Sequence, residues 1–305
     1  LLFDPANSAA HARQRIVEVI AHETHADEHE IAEHATRVPQ ETHAARFVEK
    51  AKEHSAGTVK GGDALCPFPD CGRVIDGDQH IKPQAQAGRV GQQLYAIVFR
   101  RKEIVGHTKA GKPKIKSTRG FRAPRVEDDV EAQVQAALAV KIPEWQARNV
   151  VPDEEIGELS NYDRGHRLYG IRIWKDMFAP RQLYGHCISV ELFQDLVEEL
   201  RSQNGGAISQ LDRAALTYIT IALDKVLNYN TIASRWDVVR QAIRGIFDRH
   251  GFGFLWSFGE MAPTITGLGY DWAIKQTGKA LEELIELAGS GDTMKPMLPR
   301  NGSNG

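Results

Sequence analysis

Apolar residues recur at helical spacing along 183–200 (Leu183, Cys187, Val190, Phe193, Leu196, Val197, Leu200), which predicts a long amphipathic helix. Pro180 suits its first helical position, where the missing N–H has no partner to lose. Just upstream, Tyr169, Ile171 and Ile173 alternate with Gly170 and Arg172, the period-2 pattern of a strand. The stretch 169–183 therefore reads as strand, tight aromatic turn and helix start. Further helices are predicted over 213–230, capped by Ser209 or Asp212, with Leu216, Ile219, Leu223, Val226 and Leu227 inward, over 238–250, and over 272–287. Residues 251–260 set four aromatics among glycines and predict a strand or tight aromatic loop. Earlier, an acidic helix is expected over 127–148 (Val130, Val134, Ala137 and Leu138 on its apolar face), broken near Pro143. Leu94 to Phe99 form a β-prone run that feeds a segment punctuated by Gly106, Gly111, Pro113 and Gly120, read as a β-hairpin or mobile loop. Residues 9–55 are polar and His-rich and predict one or two surface helices.

The fold class that follows is α/β, mixed, and mainly helical in its second half. Four parts are expected: a polar helical segment over 1–56, a cysteine-bearing and basic β region over 57–126, a mainly helical region over 127–290, and a disordered tail over 291–305. The chain of 305 residues begins at Leu1 rather than Met and is read as a piece of something longer. No apolar run approaches the ~18 residues of a membrane span, and no secretory leader pattern opens it. Three cysteines do not make a disulfide scaffold, so a reducing, cytoplasmic setting is the expectation.

A net charge of −2 conceals strong segregation. Between Arg100 and Arg125 stand ten cations (Arg100, Arg101, Lys102, Lys109, Lys112, Lys114, Lys116, Arg119, Arg122, Arg125) against the single acid Glu103. Glu127, Asp128, Asp129 and Glu131 follow at once. Such a basic run can neutralise phosphates without reading sequence; the bland alternative is a solvated hairpin. DNA is the expected partner, with Arg100, Arg101, Lys102, Lys109, Lys112, Lys114, Lys116 and Arg119 as its contacts. Asn228, Tyr229, Asn230, Arg235 and Trp236 form a second polar and aromatic cluster, either a capping network over a core tryptophan or a binding surface.

Two metal candidates stand out. His22, His25 and His29 share one face if their segment is helical; a solvated face explains them equally. Cys66 and Cys71 flank Pro67 to Asp70, with Gly72 after them, the form of a zinc knuckle. A structural zinc needs four ligands, and this stretch supplies two. His80 and His107 are candidate completions, whereas Cys187 falls in the apolar stripe of the long helix and reads as core.

Taken in order, several stretches resemble large prokaryotic adenine-specific DNA methylases that carry a zinc ribbon. They are Tyr169-Gly170-Ile171, Trp174 to Phe178, Pro180 to Leu183, Thr217-Tyr218, Ala222 to Lys225, Tyr229-Asn230 with Trp236, and Trp256 with Glu260. Residues 57–72 and 88–98 resemble the second half of the ribbon and its exit, so the likeness covers roughly 57–288. The resemblance implies an inserted zinc-ribbon-like and β-hairpin region followed by a helical portion of a methyltransferase. It implies the DNA-recognition and scaffold part of an S-adenosylmethionine-dependent adenine-N6 methyltransferase of restriction-modification or phage-defence type, working with flanking methyltransferase segments or partner subunits. A zinc ion at Cys66 and Cys71 would be half of the family's ribbon. The family's Asp-Pro-Pro-Tyr motif is missing, since the chain contains no Pro-Pro and its one Asp-Pro is Asp4-Pro5. The glycine-rich donor loop is missing too: Ala288-Gly289-Ser290-Gly291-Asp292 follows a helical pattern and reads as a helix-ending turn. Ala179 stands where a Thr cap is common, and Met261-Ala262-Pro263 replaces an Asn-Pro. No catalytic residue is assigned, and the chain alone is expected to be inactive. The alternative is a non-enzymatic nucleic-acid-binding module of a defence assembly.

Overall fold

The computed structural model describes residues 18–22, 59–66, 71–157, 164–248 and 253–289. Within them the chain is a mixed helix and sheet protein. Strand β1 (Glu18–His22) lies between β5 (Ala96–His107) and β9 (Phe258–Met261), parallel to both, and β6 (Pro113–Arg122) returns antiparallel to β5. Three short strands, β2 (Val59–Lys60), β3 (Asp63–Leu65) and β4 (Val74–Ile75), make a separate meander carrying the two cysteines. A π-turn over Gly77–Ile81 leads into the short α1 (Lys82–Gln86).

The helices form two packed pairs. Helix α2 (Glu131–Ala147) lies on α4 (Pro180–Gln203), burying Leu138, Trp145, Leu183 and Cys187 with Val150 and Val151. Ion pairs lace the rim of this contact, Lys141 with Glu191 at 2.9 Å and Arg148 with Asp195 at 2.7 Å. Helix α5 (Gln210–Tyr229) packs on α6 (Gly269–Gly289) through Ala222, Val226 and Ala273. In the chain between α2 and α4, α3 (Arg164–Leu168) and a 3-10 turn over Trp174–Met177 accompany a second core of Ile156, Ile171 and Met177. No helix among the described residues is long and apolar enough to cross a membrane.

Several sequence expectations hold. Pro180 begins α4, Ser209 caps α5 by accepting the Asp212 N–H at 3.0 Å, and the basic run is a hairpin. Others need correction. Residues 18–22 are a strand, not part of a helix, so His22 is not on a helical face; His25 and His29 lie outside the described residues. A central parallel strand reads as a short apolar run, which periodicity does not separate from a helix. Residues 169–173 form only an isolated bridge, Glu155 to Ile173, because the Asp176 carboxylate accepts the Arg172 and Ile173 N–H groups and winds the chain into the 3-10 turn. Helix α2 runs through Pro143, held in its last turn by the fully buried Trp145. Instead of a helix, residues 238–248 begin with a turn between β7 (Arg235–Asp237) and β8 (Ala242–Arg244). There Asp237 accepts from the Val239 and Arg240 N–H groups at 3.0 and 2.9 Å, closing an Asx turn that stops a helix from starting.

Candidate nucleic-acid interface

The β5–β6 hairpin is held at its base and bare towards its tip. At the base, Ile97 and Val98 are buried in the sheet, and Phe99 lies opposite Gly120. The Phe99 ring occupies the space where a Cβ on Gly120 would stand. Further out, Ile104, Val105 and Ile115 are 59%, 57% and 61% exposed, so neither face of the distal half is covered. A residue and its cross-strand partner point to the same side. Arg100 pairs with Arg119, Lys102 with Ser117 and Ile104 with Ile115, setting one face. Arg101 pairs with Thr118 and Glu103 with Lys116, setting the other, which Lys114 joins by alternation. Lys109 and Lys112 stand in the turn, where Thr108 and Lys112 bond each other. The structure thus places the eight sequence-predicted cations on one ribbon but splits them between its two faces.

Several cations near this ribbon have carboxylate partners: Arg122 with Asp128, Arg125 with Glu127, Arg101 with Glu103, and Arg244 with Asp237. Arg122 is held on its acid so well that its pKa rises above the usual guanidinium range, chiefly through the Asp128 hydrogen bond. Among the described residues no ion pair engages Arg100, Arg119, Lys109, Lys112, Lys114 or Lys116.

Arg100 and Arg119 flank a cleft of about 200 Å³ near the carboxyl ends of β1 and β9. In register, Phe99 aligns with His22 and Met261 with Ala21, so the cleft opens where β1 and β9 end and β5 runs on past them into the hairpin. Ligands of open α/β sheets bind at this edge. Tyr229, Trp236 and Trp272 supply aromatic walls, and Gln241 stands at the rim. The Tyr229 and Trp272 rings meet edge to face at 5.3 Å, Lys225 lies 4.7 Å over Trp272, and Phe121 meets Trp236 edge-on at 6.0 Å. Arg119 donates to the Arg240 carbonyl at 3.1 Å, tying the ribbon to the β7–β8 turn.

Behind the cleft, buried and half-buried polar groups fix the ends of α5 and β9. Asn230 accepts the Met261 N–H at 2.9 Å, Ser234 donates to the Gly259 carbonyl at 2.6 Å, and Asn228 accepts the Ile246 and Phe247 N–H groups. His186 bonds the Asn230 carbonyl at 2.9 Å; a carbonyl only accepts, so Nε2 carries the proton. Burial holds the His186 pKa below its ordinary value. Glu260 meets Arg181 bidentately, at 3.0 and 3.1 Å, and Arg181 also reaches Glu131 at 2.7 Å. Burial pushes the Glu260 carboxyl up, and the guanidinium pulls it back down. The 228–236 cluster is therefore divided: its asparagines are capping groups, while Tyr229 and Trp236 line the cleft. Sequence reasoning named those two but missed Trp272 and the Arg181–Glu260 pair; aromatics clustered at the ends of adjacent elements were the available signal.

At the meander, Cys66 and Cys71 are close enough to hydrogen bond, and the Cys71 thiol is drawn below its usual range first by the Arg73 backbone N–H and then by Cys66. No group of three or more His, Cys, Asp and Glu side chains among the described residues could hold a metal ion, so the two thiols do not fit a complete structural zinc site there. His80 and His107 do not complete them. Cys187 is buried in the α2–α4 core and its pKa is pushed up to about 11 by burial, in keeping with a packing role. Comparison with protein families, with curated proteins and with solved structures found no match for this chain.

Proposed function

We propose that this chain binds nucleic acid through the β5–β6 ribbon and serves as the DNA-recognition and scaffold part of an S-adenosylmethionine-dependent DNA adenine-N6 methyltransferase, of restriction-modification or phage-defence type. One observation carries the nucleic-acid part: a two-stranded ribbon with cations on both faces and at its turn, its distal half uncovered. A major groove admits a two-stranded β-ribbon, whose lysines then reach phosphates on either wall. Ile104 and Ile115 are cross-strand partners, and on this docking the pair is left to the base edges rather than the phosphates. The methyltransferase part rests on the resemblance alone. In that reading the residues present bind and position DNA, and the methyl donor and its chemistry belong to the flanking segments.

The sequence also favours a second reading, a nucleic-acid-binding module with no methyltransferase attached, because the chain contains no Pro-Pro for the catalytic motif. Both readings share one test. Lys112→Glu, Lys114→Glu and Lys116→Glu together should weaken binding to a labelled duplex at low salt by at least about tenfold, with the salt dependence reduced in step. Unchanged affinity in this variant removes the nucleic-acid reading. Joining the flanking segments and measuring transfer from labelled S-adenosylmethionine separates the two, since only the first predicts turnover.

A further inference from the structure

We infer that the cleft between the ribbon and the α5–α6 pair is a site for one nucleotide unit, a planar heteroaromatic base with its phosphate. The inference deepens the nucleic-acid reading above and rests on it where that nucleotide belongs to a strand; a free mononucleotide is the other source of the same chemistry.

Three properties of the cleft point to this ligand. Its walls are apolar and aromatic, with Tyr229, Trp236 and Trp272 converging from α5, β7 and α6. Such walls suit a flat ring, because every base presents a π-face to an aromatic side chain. Its volume of about 200 Å³ suits a single ring system better than a large cofactor. Two guanidiniums stand at one side of this apolar space. Arg100 and Arg119 are cross-strand partners, so they point the same way, and among the described residues neither has a carboxylate. Neighbouring arginines outside the cleft are neutralised by Asp128, Glu127 and Asp237. A pair of like charges directly opposite each other is unfavourable unless an anion sits between them. A phosphate, which guanidiniums grip in a fork, satisfies both.

Glycines border the lining residue Leu268 on both sides. Gly267, at φ +83°, lies beside Arg100, a Cβ there standing in ordinary contact with its Nη1 at 3.7 Å. Gly269, at φ +50°, turns the chain into α6 with its N–H on the Met261 sulfur at 3.1 Å. Gln241 at the rim offers both an amide donor and an acceptor, the combination that pairs with an adenine edge.

The test uses the full chain in dilute buffer. A labelled duplex with one extrahelical nucleotide is compared by fluorescence anisotropy with the fully paired duplex. dAMP, adenosine and inorganic phosphate are titrated separately against tryptophan fluorescence. The extrahelical duplex should bind about tenfold tighter than the paired one, the order of one stacked base. That preference should vanish in Trp236→Ala and in Arg100→Ala/Arg119→Ala and be retained in Trp236→Phe, with far-UV circular dichroism confirming that each variant folds. Quenching by dAMP, lost in the same variants and weak with adenosine or phosphate alone, assigns the site to a free nucleotide as well. No preference and no dAMP quenching overturns the inference while leaving paired-duplex binding, and hence the ribbon reading, intact. If no DNA binds, the ribbon reading fails and the dAMP titration alone decides the cleft.

Discussion

His186 shows how a single residue behind the cleft sets a condition on the whole fold. Its imidazole is 8% exposed, donates through Nε2 to the Asn230 carbonyl, and has its pKa lowered by burial. The folded state therefore binds fewer protons than the unfolded state in the imidazole range. Stability from this group is fully present above the unfolded value of about 6.5 and is lost as pH falls below it. In urea titrations between pH 8 and 5, the parent should lose up to about 1.4 kcal/mol per pH unit more than His186→Gln at the acid end; parallel curves would remove His186 as the cause. Glu260 poses the opposite problem. Arg181→Met leaves its carboxylate buried with only the burial effect acting, and the variant should be destabilised by about 3–5 kcal/mol at pH 7. With the folded pKa raised, that loss grows as pH rises and eases on acidification, so a denaturation midpoint that recovers towards pH 5 supports the assignment.

At the scale of elements, legibility followed the locality of the signal. Pro180 starts α4 and Ser209 caps α5 because first-turn chemistry is decided within four residues. The ribbon was legible because glycines, a proline and a β-prone run mark it locally. Strand β1 was not, since its identity is fixed by parallel neighbours more than seventy residues later in the chain. The β7–β8 hairpin was misread because Val238 and Val239 look like helix core, yet they are 76% and 89% exposed in a turn set by one Asp237 carboxylate. That carboxylate titrates low because the Arg240 N–H, and then Arg244, hold its charge. Gly120 gives the sharpest test at this scale. A side chain there meets the Phe99 ring at the ribbon's base, so Gly120→Val should cost about 1–3 kcal/mol by overpacking. It should also weaken duplex binding, because the distal strands lose the anchor that keeps them extended. Thermal melts and anisotropy on the same variant check both effects.

For the whole molecule, the controlling fact is that charge is sorted rather than balanced. The total of −2 and a pI near 6.7 describe a protein with no bulk attraction to a polyanion. Yet Lys109, Lys112, Lys114 and Lys116 share one uncovered ribbon with Arg100 and Arg119 at its base. Acids gather elsewhere, Glu282, Glu283 and Glu286 lying on α6 about 15–20 Å along its axis from Trp272. Salt screens charges beyond about 8 Å under physiological conditions, so a phosphate on the ribbon feels the local lysines and not the sum. One variant compared with the parent separates these accounts. Glu282→Gln, Glu283→Gln and Glu286→Gln together move the net charge from −2 to +1, since −2 + 3 = +1. If the sum governed, this variant would bind duplex markedly better; local control predicts a change of less than about twofold. The parent should lose affinity between 50 and 200 mM salt with a log–log slope of about −3 to −4, near −0.9 for each of Lys109, Lys112, Lys114 and Lys116. The α6 variant should keep that slope, because it removes no phosphate contact. A shallower slope in the parent, or a large gain in the α6 variant, would mean that the ribbon does not act as the independent cationic arm its exposure makes it.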